Sequence, residues 1–544
     1  MKPDAEMEIF FGRKPILDLL KKRILDLKEG YRQNVALLGR RSIGKTVLMQ
    51  KVVRDLAEDK IVPVYVDLEN QGLEDIYEKI TGRLLFYFTN RHGLPWTGDP
   101  KSLRTMIQPR LPSTGRCLKK IESLLAHRRS RDAFRELIAL PQVFAKETGC
   151  FCVLFLDEFH ALQELVVSGL FQELGKKIMT QNRCLYVMAS SLPMVARRIL
   201  SEELSLLFGN FETIPVDVFE PQESRDFLSG YLQDIRLKDQ LKDFIVDFTG
   251  GHPLFISLIA RELHSLSRVY QQQEVFEPLL IQALENLLFQ PWGLLNNHFG
   301  LLLDQLSTPK GHFLIGRLLL TLANGKKKFQ EIVAQVGGKS SPIRQRLRYL
   351  LEQDVVVKNG SFYYLEDKLF RFWLQHVYHL REKAFDLDLN QRQTQFRQSV
   401  QAAFDQHRVQ SGKDLATRVM ELLFCFEDEI CYINGRRYRL PVFREAMPAR
   451  HREIDEGRLE LIRARTSTGD WIVVLKSRAI SENDINAVLD ETKRGPARPR
   501  KCILISLDDP DENVRLRALQ ERMWVWNEAE LNTLLNIFDK PYIL

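Results

Sequence analysis

The sequence predicts an α/β protein whose first domain is a doubly wound parallel sheet. An apolar run, Val35–Leu38, precedes the glycine-containing segment Gly39–Thr46, and a stretch with the apolar spacing of a helix follows. A second apolar run, residues 150–156, lacks alternation, which is typical of a strand buried on both faces. Further β-rich runs are separated by helical patterns, as in sheets that carry helices on both faces.

The composition is that of a globular protein with several domains. The chain has 544 residues, and about 150 residues per domain predicts three or four domains. No apolar run reaches the roughly 20 residues that cross a bilayer, and the polar start lacks the apolar core of a signal peptide. The 7 cysteines form no C-x-x-C pair, and the net charge of +7 permits nucleic-acid contact without arguing for it. We therefore expect a cytoplasmic protein with reduced thiols, no structural zinc and no membrane partner.

The segment Gly39–Thr46 fits the phosphate-binding pattern G-x-x-x-x-G-K-[ST], the P-loop. Its glycines let backbone N–H groups curl around phosphate oxygens at the positive end of the following helix. In this pattern Lys45 reaches the β- and γ-phosphates, and the hydroxyl of Thr46 ligates Mg²⁺. The loop residues expected to bind nucleotide are Gly39, Arg40, Arg41, Ser42, Ile43, Gly44, Lys45, Thr46 and Val47.

Two carboxylates, Asp157 and Glu158, come directly after the apolar run at residues 150–156. Ligands bind at the carboxyl edge of parallel sheets, so Asp157 is expected to hold the Mg²⁺ shell, directly or through water. Glu158 is placed to polarise the attacking water as a general base. His160, two residues further on, fits a packing role better than a catalytic one.

A further β-rich run, residues 183–191, ends in two serines. Many P-loop ATPases have a polar residue here that senses the γ-phosphate, so Ser190 joins Lys45 and Glu158 in the candidate catalytic set. Capping of the next helix explains the serine equally well.

The insertion before residues 150–156 is rich in basic residues. It holds eight arginines and lysines against three carboxylates. Contact with nucleic acid or an acidic partner would explain the excess, and a solvated helix face is the simpler explanation. The basic residues are Arg110, Arg116, Lys119, Lys120, Arg128, Arg129, Arg131 and Arg135.

The region after Pro221 is helical in pattern, and residues 312–380 have the order of a winged helix-turn-helix. In a DNA reader the third helix of this unit enters the major groove. Its arginines stand at alternate positions, so they do not all share one face, and DNA contact and a packing role both stay open. The arginines are Arg344, Arg346 and Arg348. The predicted helices are Phe313–Leu322, Phe329–Val336 and Ser341–Leu351, followed by two strands around Asn359-Gly360.

The last domain, residues 413–544, resembles a restriction-endonuclease-like fold in its order of helix, strands, helix and strand. Such nucleases use an Asp and then a Glu-x-Lys to hold Mg²⁺ and activate water. Asp455 and Lys476 fall in place, but Val474 stands at the Glu position. Losing a carboxylate weakens Mg²⁺ binding, so we expect an inactive nuclease unless Glu421 or Glu460 substitutes.

The chain resembles the STAND-type P-loop ATPases, specifically the archaeal-type family with a winged helix and a C-terminal nuclease-like domain. Besides the P-loop and the carboxylate pair, the resemblance rests on Phe11-Gly12-Arg13 and on Gly251-His252-Pro253, which is similar to the family's Gly-x-Pro signature. It implies that Gly12 and Arg13 lie near the adenine and that Pro253 closes the lid over the nucleotide. Origin-recognition ATPases share the core and winged helix, but the Gly-x-Pro signature favours the STAND assignment.

One departure from the family pattern concerns a phosphate-contacting arginine. The family often has an arginine after the glycine in the loop that follows the sensor strand, whereas Asn210 follows Gly209 here. Arg197 and Arg198 are nearby alternatives. The departure implies slow turnover or nucleotide retention.

The resemblance implies an ATP-binding and ATP-hydrolysing switch with ATP and Mg²⁺ as cofactors. A nucleotide-regulated DNA-binding protein and an ATP-gated metal-dependent nuclease are the alternatives. Duplex DNA, protein partners and self-association stay open as partners besides ATP and ADP. The expected fold is a P-loop NTPase (AAA+/STAND-like) core at 1–218, a helical lid at 219–304, a winged helix-turn-helix at 305–385, a connector at 386–412 and the nuclease-like domain at 413–544.

Overall fold

The computed structural model describes residues 10–543 except 57, 59, 95–106, 166, 168, 205–210, 308–311, 384–387, 455–456 and 495–498. The chain forms two compact units. The first contains the chain up to Phe219 together with His252–Leu254, and the second contains Glu220–Gly251 and the chain from Phe255 onward. Gly209, Asn210 and Asp455 lie outside the described residues. Every described helix is too short or too polar to span a membrane.

A five-stranded parallel sheet forms the centre of the first unit, in the order β2-β3-β4-β1-β5. All its pairings are parallel, so the carboxyl ends of the strands meet at one edge. The P-loop strand β1 and the carboxylate strand β3 flank β4. The strands are β1 (Asn34–Leu38), β2 (Ile61–Asp67), β3 (Phe151–Asp157), β4 (Cys184–Ser190) and β5 (Phe211–Pro215).

Helices cover both faces of this sheet, and β3 shows why its sequence lacks alternation. Val153 and Phe155 belong to one apolar cluster, while Cys152, Leu154 and Leu156 belong to another on the opposite face. Burying each large apolar side chain stabilises the fold by about 1.5–3 kcal/mol. The helices are α1 (Lys14–Asp26), α2 (Lys45–Asp55), α3 (Leu73–Arg91), α4 (Pro112–Ala126), α5 (Ser130–Thr148), α6 (Leu170–Thr180) and α7 (Pro193–Arg198).

The second unit begins with a helical region. Two short strands, β6 (Arg236–Leu237) and β7 (Glu274–Val275), pair within it. The predicted connector contains a long helix whose side chains Phe396, Val400 and Phe404 are buried. The helices up to residue 306 are α8 (Pro221–Tyr231), α9 (Asp239–Thr249), α10 (Pro253–Val269, whose first two residues belong to the first unit), α11 (Glu277–Leu288) and α12 (Leu294–Leu306).

Three helices and a hairpin follow, close to the positions that the sequence predicts. The hairpin strands are β8 (Val356–Asn359) and β9 (Phe362–Leu365), which pair antiparallel on either side of Gly360. The helices from here to residue 423 are α13 (His312–Ala323), α14 (Phe329–Val336), α15 (Ser340–Glu352), α16 (Lys368–Trp373), α17 (His379–Lys383), α18 (Leu389–Ser411) and α19 (Leu415–Leu423).

A mixed sheet ends the chain, with the order β12-β13-β14-β15-β16. β12, β13 and β14 pair antiparallel, and β14, β15 and β16 pair parallel. A separate hairpin of β10 (Glu429–Ile433) and β11 (Arg436–Leu440) precedes the sheet. The remaining elements are β12 (Phe443–Ile454), β13 (Gly457–Thr466), β14 (Gly469–Lys476), α20 (Glu482–Arg494), β15 (Lys501–Ser506), α21 (Glu512–Gln520), β16 (Trp524–Trp526) and α22 (Glu528–Ile537).

Candidate nucleotide-binding site

The P-loop leaves β1 at the carboxyl edge of the first sheet and enters α2 at Lys45. Gly39 lies so close to the segment that follows β5 that a Cβ atom there would be 2.1 Å from the carbonyl oxygen of Val216. Ser42 and Gly44 have φ angles of 59° and 101°, in the left-handed region. These conformations turn the backbone back on itself, as a loop that wraps a phosphate requires.

Lys45 lies at the start of α2 and is 3% exposed. Its Nζ donates hydrogen bonds to the carbonyl oxygens of Gly39 at 2.7 Å and Arg40 at 2.9 Å. The ammonium therefore lies inside the curve of the loop, beside the N-terminal end of a helix. Both features favour an anion at this place.

Asp157 is the meeting point of side chains from three segments. Its Oδ2 accepts hydrogen bonds from the hydroxyl of Thr46 at 2.6 Å and from the hydroxyl of Tyr65 at 2.9 Å. Its Oδ1 accepts the backbone N–H of Glu158 at 3.1 Å. Burial and the neighbouring Asp157 carboxylate raise the pKa of Tyr65, so the Tyr65 hydroxyl stays a donor.

Glu158 adopts a left-handed backbone conformation, with a φ of 50°, immediately after β3. This turn directs the carboxylate toward the end of β4, where Oε2 accepts the backbone N–H of Ser191 at 2.7 Å. The Nδ1 atom of His160 lies 3.3 Å from the same Oε2. The carboxylate is therefore held by the backbone N–H of Ser191, with the His160 ring beside it.

His160 also contacts Ser190, since its Nδ1 lies 2.9 Å from the Ser190 hydroxyl oxygen. Ser190 is fully buried, and its hydroxyl oxygen accepts the backbone N–H of Leu192 at 3.1 Å. The structure thus adds a contact to His160 beyond packing. The γ-phosphate role of Ser190 stays a prediction, because its hydroxyl is engaged by these neighbours.

Burial sets the protonation of this group of residues. Burial raises the pKa of Glu158, and the nearby Lys45 ammonium opposes that increase. Burial, together with the positive charges of Lys45 and Arg41, lowers the pKa of His160 to about 4. His160 is therefore neutral near pH 7, and Glu158 is a stronger base than an exposed glutamate.

Arg13, which the resemblance places near the adenine, contacts the segment after β5. Its guanidinium donates to the carbonyl oxygen of Asp217 and lies 4.9 Å from the ring centroid of Phe219. The ring of Phe11 meets Phe219 edge-on, with centroids 5.9 Å apart. Gly12 and Arg13 both have left-handed φ angles, 64° and 59°. These residues build a small aromatic and cationic corner in the first unit.

The segment His252–Leu254 belongs to the first unit although it is distant in sequence. The Nε2 atom of His252 lies 3.4 Å from the carbonyl oxygen of Arg41, so this residue contacts the P-loop backbone. Pro253 begins α10 in the next position. The Arg41 guanidinium forms an ion pair with Glu69.

Four of the eight basic residues of the predicted cluster in the first unit form ion pairs with carboxylates. Its ion pairs are Lys120–Glu136, Arg129–Asp132, Arg135–Asp132 and Arg131–Glu173. Arg197 and Arg198, the candidate phosphate contacts, lie exposed at the end of α7. The pairing favours the solvated-face explanation of the cluster.

Sequence reasoning missed Tyr65 and gave too little weight to His160. Tyr65 stands within the β-rich run Ile61–Leu68, where nothing local distinguishes it from a core tyrosine. Its register beside β3 brings it to the carboxylate, because Tyr65 pairs with Phe155. One signal could have identified Tyr65. It is a polar residue near the end of a strand that neighbours the carboxylate strand β3.

The fold and the site together define a P-loop ATPase domain. Residues 10–259 match the sequence model of a family described as an ATPase domain predominantly from Archaea. No curated protein matches the chain.

Several solved structures are similar to this chain at low sequence identity. The Walker-type ATPase PABY2304 of Pyrococcus abyssi is 16% identical over 69% of this chain and 98% of its own, with a TM-score of 0.49. The ORC2 protein of Aeropyrum pernix is 14% identical over 73% of this chain and 97% of its own, with a TM-score of 0.43. The RuvB branch-migration motor of Thermotoga maritima is 13% identical over 67% and 96%, with a TM-score of 0.35.

Proposed function

We propose that this protein is an ATP-driven molecular switch of the STAND type, in which the first unit binds and hydrolyses ATP and the nucleotide state controls the domains that follow. The observation that carries the proposal is the 2.6 Å hydrogen bond from Thr46 to Asp157. It joins the end of the P-loop to the carboxylate pair at the edge where ligands bind in parallel sheets.

The donor atoms at this edge fit a Mg²⁺ ion. Mg²⁺ takes oxygen ligands and is usually held by one or two carboxylates together with substrate phosphates and water. Thr46 and Asp157 supply neighbouring oxygens, and no group of three or more His, Cys, Asp or Glu side chains among the described residues could hold a metal. When bound, the ion held by Thr46 and Asp157 would help neutralise the charge of the phosphates.

The protein residues then take separate roles around the triphosphate. Lys45 contacts the phosphates from the N-terminal end of α2, and Glu158 accepts the proton of the attacking water. The backbone N–H of Ser191 orients the Glu158 carboxylate through its Oε2 atom, and the neutral His160 ring lies beside it. Ser190 remains a candidate contact to the γ-phosphate.

The remaining assignments follow the family resemblance. Gly12 and Arg13 are proposed to contact the adenine, supported by the aromatic corner that Arg13 shares with Phe219. Pro253 is proposed to close over the nucleotide, supported by the contact of the preceding His252 with the P-loop carbonyl of Arg41.

Of the two alternatives to an ATP-driven switch, the nuclease has less support. We interpret α13–α15 with the β8–β9 hairpin as a winged helix and the final mixed sheet as nuclease-like. The Lys476 ammonium, which a nuclease would use on water, forms a 2.6 Å ion pair with Asp484 and is 3% exposed. The domain is therefore proposed to be an interaction domain.

Steady-state ATP hydrolysis and ATP affinity test the proposal. Lys45→Ala should abolish ATP binding, and Glu158→Gln should bind ATP without hydrolysing it. Lys51→Ala is the matched control, because Lys51 lies on the same helix and pairs with Asp55 away from the loop. Unchanged ATP affinity in Lys45→Ala would refute the assignment. Repeating the assay with duplex DNA tests coupling to DNA.

A further inference from the structure

A recess in the second unit is lined by four basic side chains and, among the described residues, by no acidic one. It consists of two adjoining cavities of about 440 Å³ and 390 Å³, which share Lys358, Gly360 and Ser361. We call it the basic groove. Its basic side chains are Arg344 and Arg348 from α15, Lys358 from β8 and Arg437 from β11.

Two of the three arginines of α15 line the basic groove. Arg344 and Arg348 are one helical turn apart, exposed, and line the larger cavity. Arg346 is half-buried and does not line either cavity. The helix therefore presents its positive charge in one direction, toward the hairpin β8–β9.

The four basic side chains of the groove have no acidic partner to neutralise them. Within the described ranges, none of them has a carboxylate oxygen within the 4.0 Å of an ion pair. This contrasts with the basic cluster of the first unit, where carboxylates pair with Lys120, Arg129, Arg131 and Arg135. Four unpaired positive charges around one recess fit a ligand that carries several negative charges.

Aromatic rings alternate with these charges. The Arg344 guanidinium lies 4.8 Å from the ring centroid of Phe329, and the Lys358 ammonium lies 5.4 Å from that of Tyr363. In the smaller cavity, Tyr432 is 47% exposed and pairs across the β10–β11 ladder with Arg437. An exposed ring beside a cation can stack a base while the cation holds a phosphate.

The tip of the β8–β9 hairpin is bound to the β10–β11 hairpin. Asn359 donates to the carbonyl of Tyr432 at 2.8 Å and accepts the N–H of Tyr432 at 2.6 Å. A Cβ atom on Gly360 would lie 1.9 Å from the carbonyl oxygen of Ile430, so the two hairpins are in close backbone contact. The tip therefore forms the floor of the basic groove. It does not project outward, as a hairpin must in order to enter a groove of duplex DNA.

We propose that the basic groove binds single-stranded nucleic acid. The phosphodiester backbone passes along Arg344, Arg348, Lys358 and Arg437, and a base stacks on Tyr432. A recess between a helix and two hairpins admits one strand, whereas a duplex displays its phosphates on a broad convex surface. This binding is separate from nucleotide binding in the first unit.

The test is fluorescence anisotropy of the full-length protein with a labelled oligothymidylate of about 16 nucleotides, within the site sizes of strand-binding proteins. Four phosphate contacts predict a slope of about −3 for log affinity against log salt. The double variant Arg344→Gln with Arg348→Gln should lower affinity at least about tenfold and flatten the slope by about 1.4. Tyr432→Ala should lower affinity about tenfold with the slope unchanged.

Two controls use the same chain. Arg346→Gln removes a charge from the same helix outside the groove and should leave affinity and slope unchanged. Measured without added nucleotide, Lys45→Ala should also leave strand binding unchanged, which separates a failure of this proposal from a failure of the ATPase assignment. Circular dichroism of each variant checks the fold.

Three results would overturn the proposal. The first is no strand binding at low salt. The second is a loss of affinity in Arg346→Gln as large as in the double variant Arg344→Gln with Arg348→Gln. The third is equal affinity for a duplex of the same length, or equal competition by polyglutamate, because either would show that the groove does not select a single strand.

Discussion

The hydroxyl of Thr46 donates a 2.6 Å hydrogen bond to Oδ2 of Asp157, which lies 111 residues later in the chain. The same oxygen accepts the hydroxyl of Tyr65. Three separate segments therefore meet at one carboxylate at the edge of the sheet. The arrangement of the site depends on these contacts.

Asp157→Asn removes the negative charge from this meeting point. We expect the Mg²⁺ concentration needed for half-maximal ATP hydrolysis to rise by at least about 10–100-fold, the range seen when partners of metal ligands are removed. A Mg²⁺ titration of hydrolysis measures the change. An unchanged Mg²⁺ requirement would place the metal elsewhere.

Tyr65→Phe removes one of the donors to Asp157 and keeps the ring. We expect a rise of up to about tenfold in the Mg²⁺ requirement, with a smaller effect on the maximal rate, because the carboxylate is less firmly oriented. Tyr77→Phe is the matched control, since the Tyr77 hydroxyl donates to Glu122 at 2.9 Å away from the loop. Equal effects of the two variants would argue against an orienting role for Tyr65.

The pH dependence of hydrolysis should reflect Glu158. A general base works when deprotonated, and burial raises its pKa, so activity should fall with decreasing pH sooner than for an ordinary glutamate near 4.3. His160, with a pKa lowered to about 4, stays neutral above about pH 5 and adds no change near neutrality. Profiles of kcat/KM against pH for the natural protein and Glu158→Gln provide the check. An acidic limb that persists in Glu158→Gln belongs to another group.

Gly39→Ala should disturb the P-loop, because the new Cβ would lie 2.1 Å from the Val216 carbonyl oxygen. Forcing the backbone apart costs about 1–3 kcal/mol, the range for overpacked sites, and ATP affinity should fall with it. Gly82→Ala is the control, since no atom lies within 4 Å of its Cβ and it stands in a helix. That variant should gain up to about 1 kcal/mol. Thermal unfolding midpoints and ATP titrations compare the two, and a Gly39→Ala protein that resembles Gly82→Ala would contradict the argument.

Lys476→Met should destabilise the C-terminal sheet without affecting ATP hydrolysis. The variant leaves the Asp484 carboxylate, 1% exposed, without its ammonium partner, which costs about 3–5 kcal/mol. Adding Asp484→Leu should restore much of the loss, since apolar pairs replace buried ion pairs well. Urea unfolding measures both variants. A catalytic lysine would instead show lost DNA cleavage at unchanged stability.

The elements around the P-loop and the strand that ends at Asp157 could be predicted from the sequence because both are local patterns. The strand, the turn and the helix around Gly39–Thr46 follow one another directly, so their geometry is set by neighbouring residues. The apolar run before Asp157 likewise lacks alternation because both faces of its own strand are buried. The hairpin around Gly360 was equally predictable, since its turn residues are adjacent.

The sequence by itself determined the class of the first domain, the turn between β1 and α2 that fits the P-loop pattern, and the two carboxylates after the strand β3. Only the tertiary structure decided that Tyr65 bonds to Asp157, that His160 contacts Glu158 and Ser190, and that Lys476 is held by Asp484. These contacts depend on strand register and on helix packing between segments far apart in the chain. The sequence around a hydrogen-bonding side chain does not indicate which distant residue the fold will place beside it.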